Sequence, residues 1–265
     1  MTATARLWHR SLLRAALAGA QVFGWIFVFQ FFFVRSGSIA HAVSSLALTY
    51  ALTHVVVILL TPLAARRLRN GFKRLIVYAA LSLSAAFAIL AASFAGYLGP
   101  IGWGIGLFAI LLGVYRALYW IPYEVARERT PGYRNRFVEA GIAVVPALAG
   151  LFLTTGVYAP VALLSMAVFV IVISMIPIAF MDEQHEGYEW RYRETFHELF
   201  ASARRRMLFE SISSGIEMAT LLILWPLVVF LLLGWSYPML GIVLSLTYVV
   251  AIVLRSLLKR PLNAT

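Results

Sequence analysis

Long apolar stretches separated by short polar segments dominate the hydropathy pattern of this 265-residue chain. A helix needs about 20 consecutive apolar residues to cross the hydrocarbon core of a bilayer. Eight stretches are long enough, and we predict transmembrane spans at residues 12–34, 41–64, 75–96, 101–126, 137–157, 160–180, 212–233 and 238–258. The pattern therefore predicts an all-α, polytopic membrane protein.

The segments that connect the predicted spans alternate between nearly uncharged and strongly basic. Connections such as "GYLGP", "TTGVYAP" and "GWSYP" carry no charge, and the first connection of this kind holds only Arg35. The alternate connections and the C-terminal tail hold Arg66, Arg67, Arg69, Lys73, Arg74, Arg127, Arg129, Arg134, Arg136, Arg191, Arg193, Arg204, Arg205, Arg206, Arg255, Lys259 and Arg260. Because cytoplasmic loops are enriched in Lys and Arg, we expect an inner-membrane protein with both termini in the cytoplasm.

One connection, between the sixth and seventh spans, is long and highly charged. Residues 181–206 carry six of the eleven acidic residues, and their middle has the pattern of a short amphipathic surface helix. We therefore divide the chain into a six-helix bundle at 1–180, a cytoplasmic linker at 181–207 and two helices of a second half at 208–265. The "LTY" at 48–50 recurs at 246–248, a shift of 198 residues, which favours two parallel halves.

Composition narrows the chemistry that this chain can perform. Hydrophobic residues make up 62% of the chain and charged residues 12%, and the mean hydropathy is +0.87. The net charge of +11 comes from residues clustered between apolar runs, so it indicates cytoplasmic loops and anionic lipid headgroups and not nucleic acid. The absence of cysteine excludes disulfides, thiol catalysis and thiolate metal sites. We predict a lipid bilayer and a small-molecule substrate as partners, and no catalytic residue, metal or cofactor.

Four polar side chains fall near the middle of the predicted spans. They are Gln21 in the first, His54 in the second, Arg116 in the fourth and Glu217 in the seventh. Ionisable groups at this depth are costly and commonly mark substrate or proton pathways. We predict Arg116, Glu217 and Gln21 as substrate-binding residues, and Glu217 and His54 as proton-coupling residues. A structural ion pair between Arg116 and Glu217 is the alternative.

Arg116 shares one helical face with Tyr119, Trp120 and Tyr123, which we also assign to the substrate site. A guanidinium stays protonated in proteins and stacks on aromatic rings, so Arg116 is a fixed cation suited to an anionic group. Pro122 lies on the same helix and is expected to bend it.

Three segments resemble motifs of the major facilitator superfamily of secondary transporters. The segment "PLAARRLRNGFKR" at 62–74 is similar to the basic loop motif that follows the second span in this family. The glycines and proline of "GIAVVPALAG", Gly141, Pro146 and Gly150, are similar to the motif of many exporters, and we expect them to bend or closely pack the fifth helix. Arg116 is similar to a buried arginine that many members carry on the fourth helix.

The resemblance implies two six-helix halves joined by a long cytoplasmic loop, with spans one, four and seven lining a central cavity. The chain departs from the family in places. Ala64 and Ala65 precede Arg66, where the loop motif has a glycine and an aspartate, and Val145 replaces a glycine. Family members have twelve spans, so this chain is expected to be either a fragment or a short member whose remaining helices are absent or come from a second chain.

Charged residues at the predicted cytoplasmic ends form a candidate gate. We assign to it Arg66, Arg67, Glu124, Arg136 and Glu139. Ordinary ion pairs at the membrane interface are the alternative for Glu124 and Glu139.

Three functions follow from these observations. The first is proton-coupled secondary transport of a small solute by alternating access. The second is a non-transporting fragment or scaffold of a larger transporter. The third is an intramembrane enzyme acting on lipid, which the scattered positions of the five histidines disfavour.

Overall fold

Helices form throughout the part of the chain that the computed structural model of the protein describes, residues 2–129, 136–183, 185, 191–201 and 205–258, and no strand occurs in these ranges. Backbone polar groups in lipid must be satisfied internally, which a helix achieves by itself. The described helices are α1 (Thr2–Ser36), α2 (Ile39–Arg67), α3 (Phe72–Phe94), α4 (Ile101–Arg129), α5 (Arg136–Phe152), α6 (Ala159–Met175), α7 (Tyr192–Leu199), α8 (Arg205–Ala219), α9 (Trp225–Leu232) and α10 (Tyr237–Leu258). The all-α class is confirmed.

Seven helical segments within the described residues are long and apolar enough to cross a membrane. They are Thr4–Ser36, Ile39–Asn70, Phe72–Phe94, Ile101–Tyr123, Ala159–Phe180, Ile212–Leu232 and Tyr237–Leu254. The predicted fifth span corresponds to α5, which has 17 residues and is therefore about 25 Å long. The chain is a polytopic membrane protein, and the eight-span count stays a prediction.

The first six long helices pack into one bundle. Helix α4 packs against α2 and α3, and α1 packs against α2, α5 and α6. Large side chains such as Phe23, Phe29, Phe87 and Phe108 are fully buried between them. Short turns join the helices at one end of the bundle, at residues 37–38, 95–100, 153–158 and 233–236, which we call the short-turn end. The opposite end, where the basic connections lie, is the basic end.

Helix α10 docks on α5 through a glycine contact. A Cβ atom added at Gly150 would collide with the Tyr237 carbonyl oxygen, and one at Gly241 with the Pro146 carbonyl oxygen, so the two backbones touch. The backbone N–H of Ala147 donates to Ser245 Oγ at 3.0 Å. Gly150 and Pro146 therefore lie at the contact between the six-helix bundle and the last helix, whereas Gly141 faces open space.

The predicted seventh span contains a change of helix type. A π-helical turn at Thr220–Leu224 lies between α8 and α9, and Pro226 is the second residue of α9. Proline has no N–H to donate to the preceding turn, and π-helical turns are frequent at functional sites. Helix α4 remains helical through Pro122.

The linker contacts the bundle at the basic end. Helix α7 lies within the predicted linker, and the Tyr192 hydroxyl donates to the Leu59 carbonyl oxygen of α2 at 3.1 Å. Gly71, with φ 113°, precedes α3, and Glu183 Oε1 accepts the Lys73 backbone N–H at 3.0 Å. The Glu183 carboxylate therefore stabilises the first turn of α3, because the N–H groups there have no partner within the helix.

Candidate functional site

Arg116 lies near the middle of α4, on the side that faces α2. One turn earlier, a Cβ atom at Gly113 would lie 2.6 Å from the Thr53 carbonyl oxygen and 2.7 Å from Val56 Cβ. The absence of a side chain at Gly113 thus lets the two helices approach to backbone contact. This approach brings the Arg116 side chain against two residues of α2, Tyr50 and His54.

Arg116, Tyr50 and His54 form a group that we call the arginine cluster. The Arg116 Nη1 atom donates to the Tyr50 hydroxyl at 3.3 Å and lies 3.2 Å from His54 Nε2. The guanidinium carbon lies 5.2 Å from the centre of the Tyr50 ring, a cation–π distance. Residues 50 and 54 are one helical turn apart, and their rings meet edge to face at 4.5 Å.

The contact with Arg116 fixes the protonation state of His54. A guanidinium only donates hydrogen bonds, so His54 Nε2 accepts one only when it carries no proton. The hydrogen-bonded imidazole is therefore the neutral form with its proton on Nδ1. A second proton on His54 breaks its bond with Arg116.

The positive charge of Arg116 has no carboxylate partner within the described residues. Arg116 is half-buried, and its polar contacts there are with Tyr50 and His54. Both are neutral groups, so the cluster keeps a net charge of about one in a low-dielectric surrounding. Trp25 of α1 packs edge-on against the Tyr50 ring at 5.5 Å and closes one side of the cluster.

The structure brings some of the predicted substrate-site residues together. Tyr119 and Tyr123 follow Arg116 on α4 and stack with ring centres 5.8 Å apart. Trp120 is on the outer surface of the bundle, with 60% of its area exposed. Gln21 is partly buried on α1 and forms no hydrogen bond with Arg116.

Glu217 lies apart from the arginine cluster. It is exposed on α8, in a run of residues from 212 to 218 that are all exposed. Glu217 and Arg116 form no ion pair in the structure, because the cluster faces α2 while α8 does not pack against α4. A role for Glu217 in coupling stays a prediction.

The candidate gate residues are distributed along the basic end. Glu139 pairs with Arg14 of α1, with Nη1 and Oε1 3.7 Å apart. Arg66 and Arg67 are exposed in the last turn of α2. The side chains of Glu124 and Arg136 lie outside the described residues, so their part in a gate stays a prediction.

Sequence reasoning missed a group on α1. Arg10 lies over the Tyr123 ring, its guanidinium carbon 5.1 Å from the ring centre, and His9 is buried with its ring 5.9 Å from Tyr119. The available signal was the spacing of four between Arg6, Arg10 and Arg14, which places all three on one helical face.

Within the described residues, no three side chains of His, Asp or Glu are grouped so that they could hold a metal ion. No protein-family model matches the chain, and comparison with curated proteins and with solved structures gave no match either.

Proposed function

We propose that this chain is a proton-coupled secondary transporter of the major facilitator type, which moves a small solute by alternating access. The observation that carries the proposal is the half-buried Arg116, placed mid-span without a carboxylate partner in the described residues. An ionised side chain inside a membrane protein is costly, and such groups commonly belong to substrate pathways. In the proposed cycle, the solute supplies the acceptor atoms that Arg116 lacks.

His54 is the proposed coupling group. Arg116 Nη1 lies 3.2 Å from His54 Nε2, so Arg116 and a solvent proton compete for the same lone pair on Nε2. Protonation of His54 releases the guanidinium, which is then free to bind the solute. The solute's acceptor groups then stabilise both cations, which links proton binding to solute binding.

Closure at one end of the molecule supports the alternating-access part of the proposal. At the short-turn end, the Tyr237 hydroxyl of α10 donates to Gln30 Oε1 of α1 at 2.5 Å. Trp235 packs against Phe33 and Phe29 of α1, with ring centres 4.9 Å and 5.8 Å apart. Toward the basic end, residues 209, 210 and 212–218 of α8 are exposed, and the π-helical turn provides a natural hinge. We propose that the basic end, with both termini, faces the cytoplasm.

Uptake by reconstituted protein, offered many solutes at once, tests the proposal. Liposomes that contain the purified chain are given a pH gradient in either direction and a mixture of small organic anions, cations, sugars and aromatic compounds. Mass spectrometry of the contents is expected to show one chemical class enriched above protein-free liposomes. A protonophore is expected to remove this enrichment. If no solute is enriched under either gradient, the chain is not a transporter of this type.

A further inference from the structure

Two arginines at the basic end of α1 contact neighbouring helices. Arg10 lies over Tyr123 of α4, and Arg14 pairs with Glu139 of α5. Arginines that only anchored α1 at the membrane surface would point toward headgroups, whereas these two meet the neighbouring helices.

A row of stacked tyrosines runs along α4 from the ring that Arg10 covers; Tyr115 and Tyr119 are buried and Tyr123 is partly buried. Tyr115, Tyr119 and Tyr123 follow one another at a spacing of four on α4, with ring centres 5.4 Å and 5.8 Å apart. Side chains of α1 and α4 meet here, Arg10 over the Tyr123 ring and His9 beside the Tyr119 ring. Arg10 is exposed, and 39% of the Arg14 side chain is exposed, so both guanidinium groups are accessible to a ligand.

The charges of this region favour an anion. Arg10 forms no ion pair within the described residues, and its contact there is the Tyr123 ring. Arg14 and Glu139 are 3.7 Å apart, which is longer than the 2.7–2.9 Å of a strong charge-assisted hydrogen bond. The planar guanidinium matches a carboxylate, and aromatic faces stack on planar groups. A planar carboxylate therefore fits both surfaces.

His9, beside Tyr119, has a buried ring nitrogen without a hydrogen-bond partner in the described structure. It is buried, with 2% of its area exposed, and its Nδ1 atom lies 2.6 Å from the Ser174 carbonyl oxygen of α6. A carbonyl only accepts, so Nδ1 carries a proton, and Nε2 has no hydrogen-bond partner in the described structure. A buried acceptor without a partner is uncommon and calls for an explanation.

We propose that Arg10, Arg14 and Tyr123 bind an aromatic carboxylate, with Tyr119 stacked on Tyr123, and that His9 takes up one proton when this anion binds. The site lies at the end of the tyrosine row that runs along α4 toward Arg116. The proposal names the substrate class of the transporter, and its physiological meaning rests on the proposed transport.

The binding of the proton to His9 and the binding of the carboxylate are linked by their opposite charges. A proton on His9 Nε2 adds a positive charge beside Tyr119, which also lies within electrostatic range of Arg10 and Arg14. A bound carboxylate offsets that charge, so each ligand strengthens the binding of the other. Besides His9 itself, the titratable and charged side chains described on α1, α4 and α5 are Arg6, Arg10, Arg14, Arg35, Tyr115, Arg116, Tyr119, Tyr123 and Glu139. Helix α6 and the turn Ile176–Phe180 carry none.

Equilibrium dialysis of radiolabelled benzoate against the full chain in nanodiscs tests the site. We expect retention above empty nanodiscs, and no competition by benzylammonium or benzyl alcohol. Arg10→Gln is expected to weaken benzoate binding by about ten- to a hundredfold, as the loss of a charged hydrogen bond does. The matched control is Arg35→Gln, an exposed arginine at the other end of α1, which is expected to bind benzoate as the unmodified chain does.

The pH profile tests the role of His9. Benzoate stays ionised between about pH 6 and pH 8, and its affinity is expected to rise by up to about tenfold per unit as the pH falls. His9→Asn keeps a donor for the Ser174 carbonyl but cannot titrate, so its affinity is expected to be independent of pH in this range.

Three results would overturn the proposal: no retention of benzoate above empty nanodiscs, equal affinity of Arg10→Gln, or an unchanged pH profile in His9→Asn. Dialysis measures binding without transport. Benzoate retention by a chain that moves no solute into liposomes would therefore keep this site and remove the proposed transport. If the unmodified chain transports a solute and the Arg10→Gln variant binds benzoate equally well, the proposed transport is kept and this site is removed.

Discussion

Replacement of Arg116 by glutamine is expected to lower the initial rate of solute uptake at least about a hundredfold. The glutamine side chain can still donate to Tyr50 and His54, so the packing between α2 and α4 is kept. What disappears is the permanent charge, and with it the charge-assisted hydrogen bonds to the solute. The measurement is the initial rate of uptake into liposomes of the solute identified from the mixture, normalised to the amount of inserted protein.

Two further variants separate charge from structure in this experiment. Arg116→Lys keeps the charge but has no planar fork, so we expect an intermediate rate, with affinity affected more than maximal velocity. Arg35→Gln removes an exposed charge on α1, far from the arginine cluster along the helix axis, and is expected to transport normally. Uptake by Arg116→Gln within about twofold of the unmodified chain would contradict the assignment of Arg116.

Replacement of His54 by glutamine is expected to leave solute exchange across the membrane intact but to impair solute accumulation driven by a pH gradient. The glutamine carbonyl can accept the Arg116 hydrogen bond as Nε2 does, but it cannot take up a proton. We therefore expect His54→Gln to exchange labelled for unlabelled solute across the liposome membrane at a rate close to that of the unmodified chain. Accumulation driven by a pH gradient is expected to fall at least about tenfold, because proton and solute binding are no longer linked.

His41→Gln is the matched control for this experiment, since His41 is exposed in the first turn of the same helix. It is expected to accumulate solute normally. Full gradient-driven accumulation by His54→Gln would show that the coupling proton binds elsewhere, and Glu217 would then be the next residue to replace.

The helical architecture could be predicted from the sequence because each span is a local property. About 20 apolar residues in a row specify a membrane helix whatever surrounds them. Depth in the membrane is also local, which is why Arg116 and His54 could be selected by counting residues from the span ends. The contact between them could not be predicted, because it joins residues 62 positions apart and depends on the close approach of two helices at Gly113.

The direction in which each polar side chain points could not be predicted from the sequence. Glu217 was matched with Arg116 by depth and charge alone, but Arg116 faces Tyr50 and His54 on α2, and Glu217 is exposed on α8. Arg10 and Arg14 were counted neither as orientation signals nor as site residues, because they precede the most apolar part of the first span. Only their contacts with Tyr123 and Glu139 reveal which side of α1 faces α4 and α5.

Arg116 is expected to bind the transported solute in place of a carboxylate of the chain. A structure determined with that solute bound tests this expectation most directly. We expect an acceptor atom of the solute within about 3.2 Å of the Arg116 guanidinium, and a lengthened contact between Arg116 and His54 Nε2. A solute bound away from Arg116, with the bonds to Tyr50 and His54 unchanged, would contradict it.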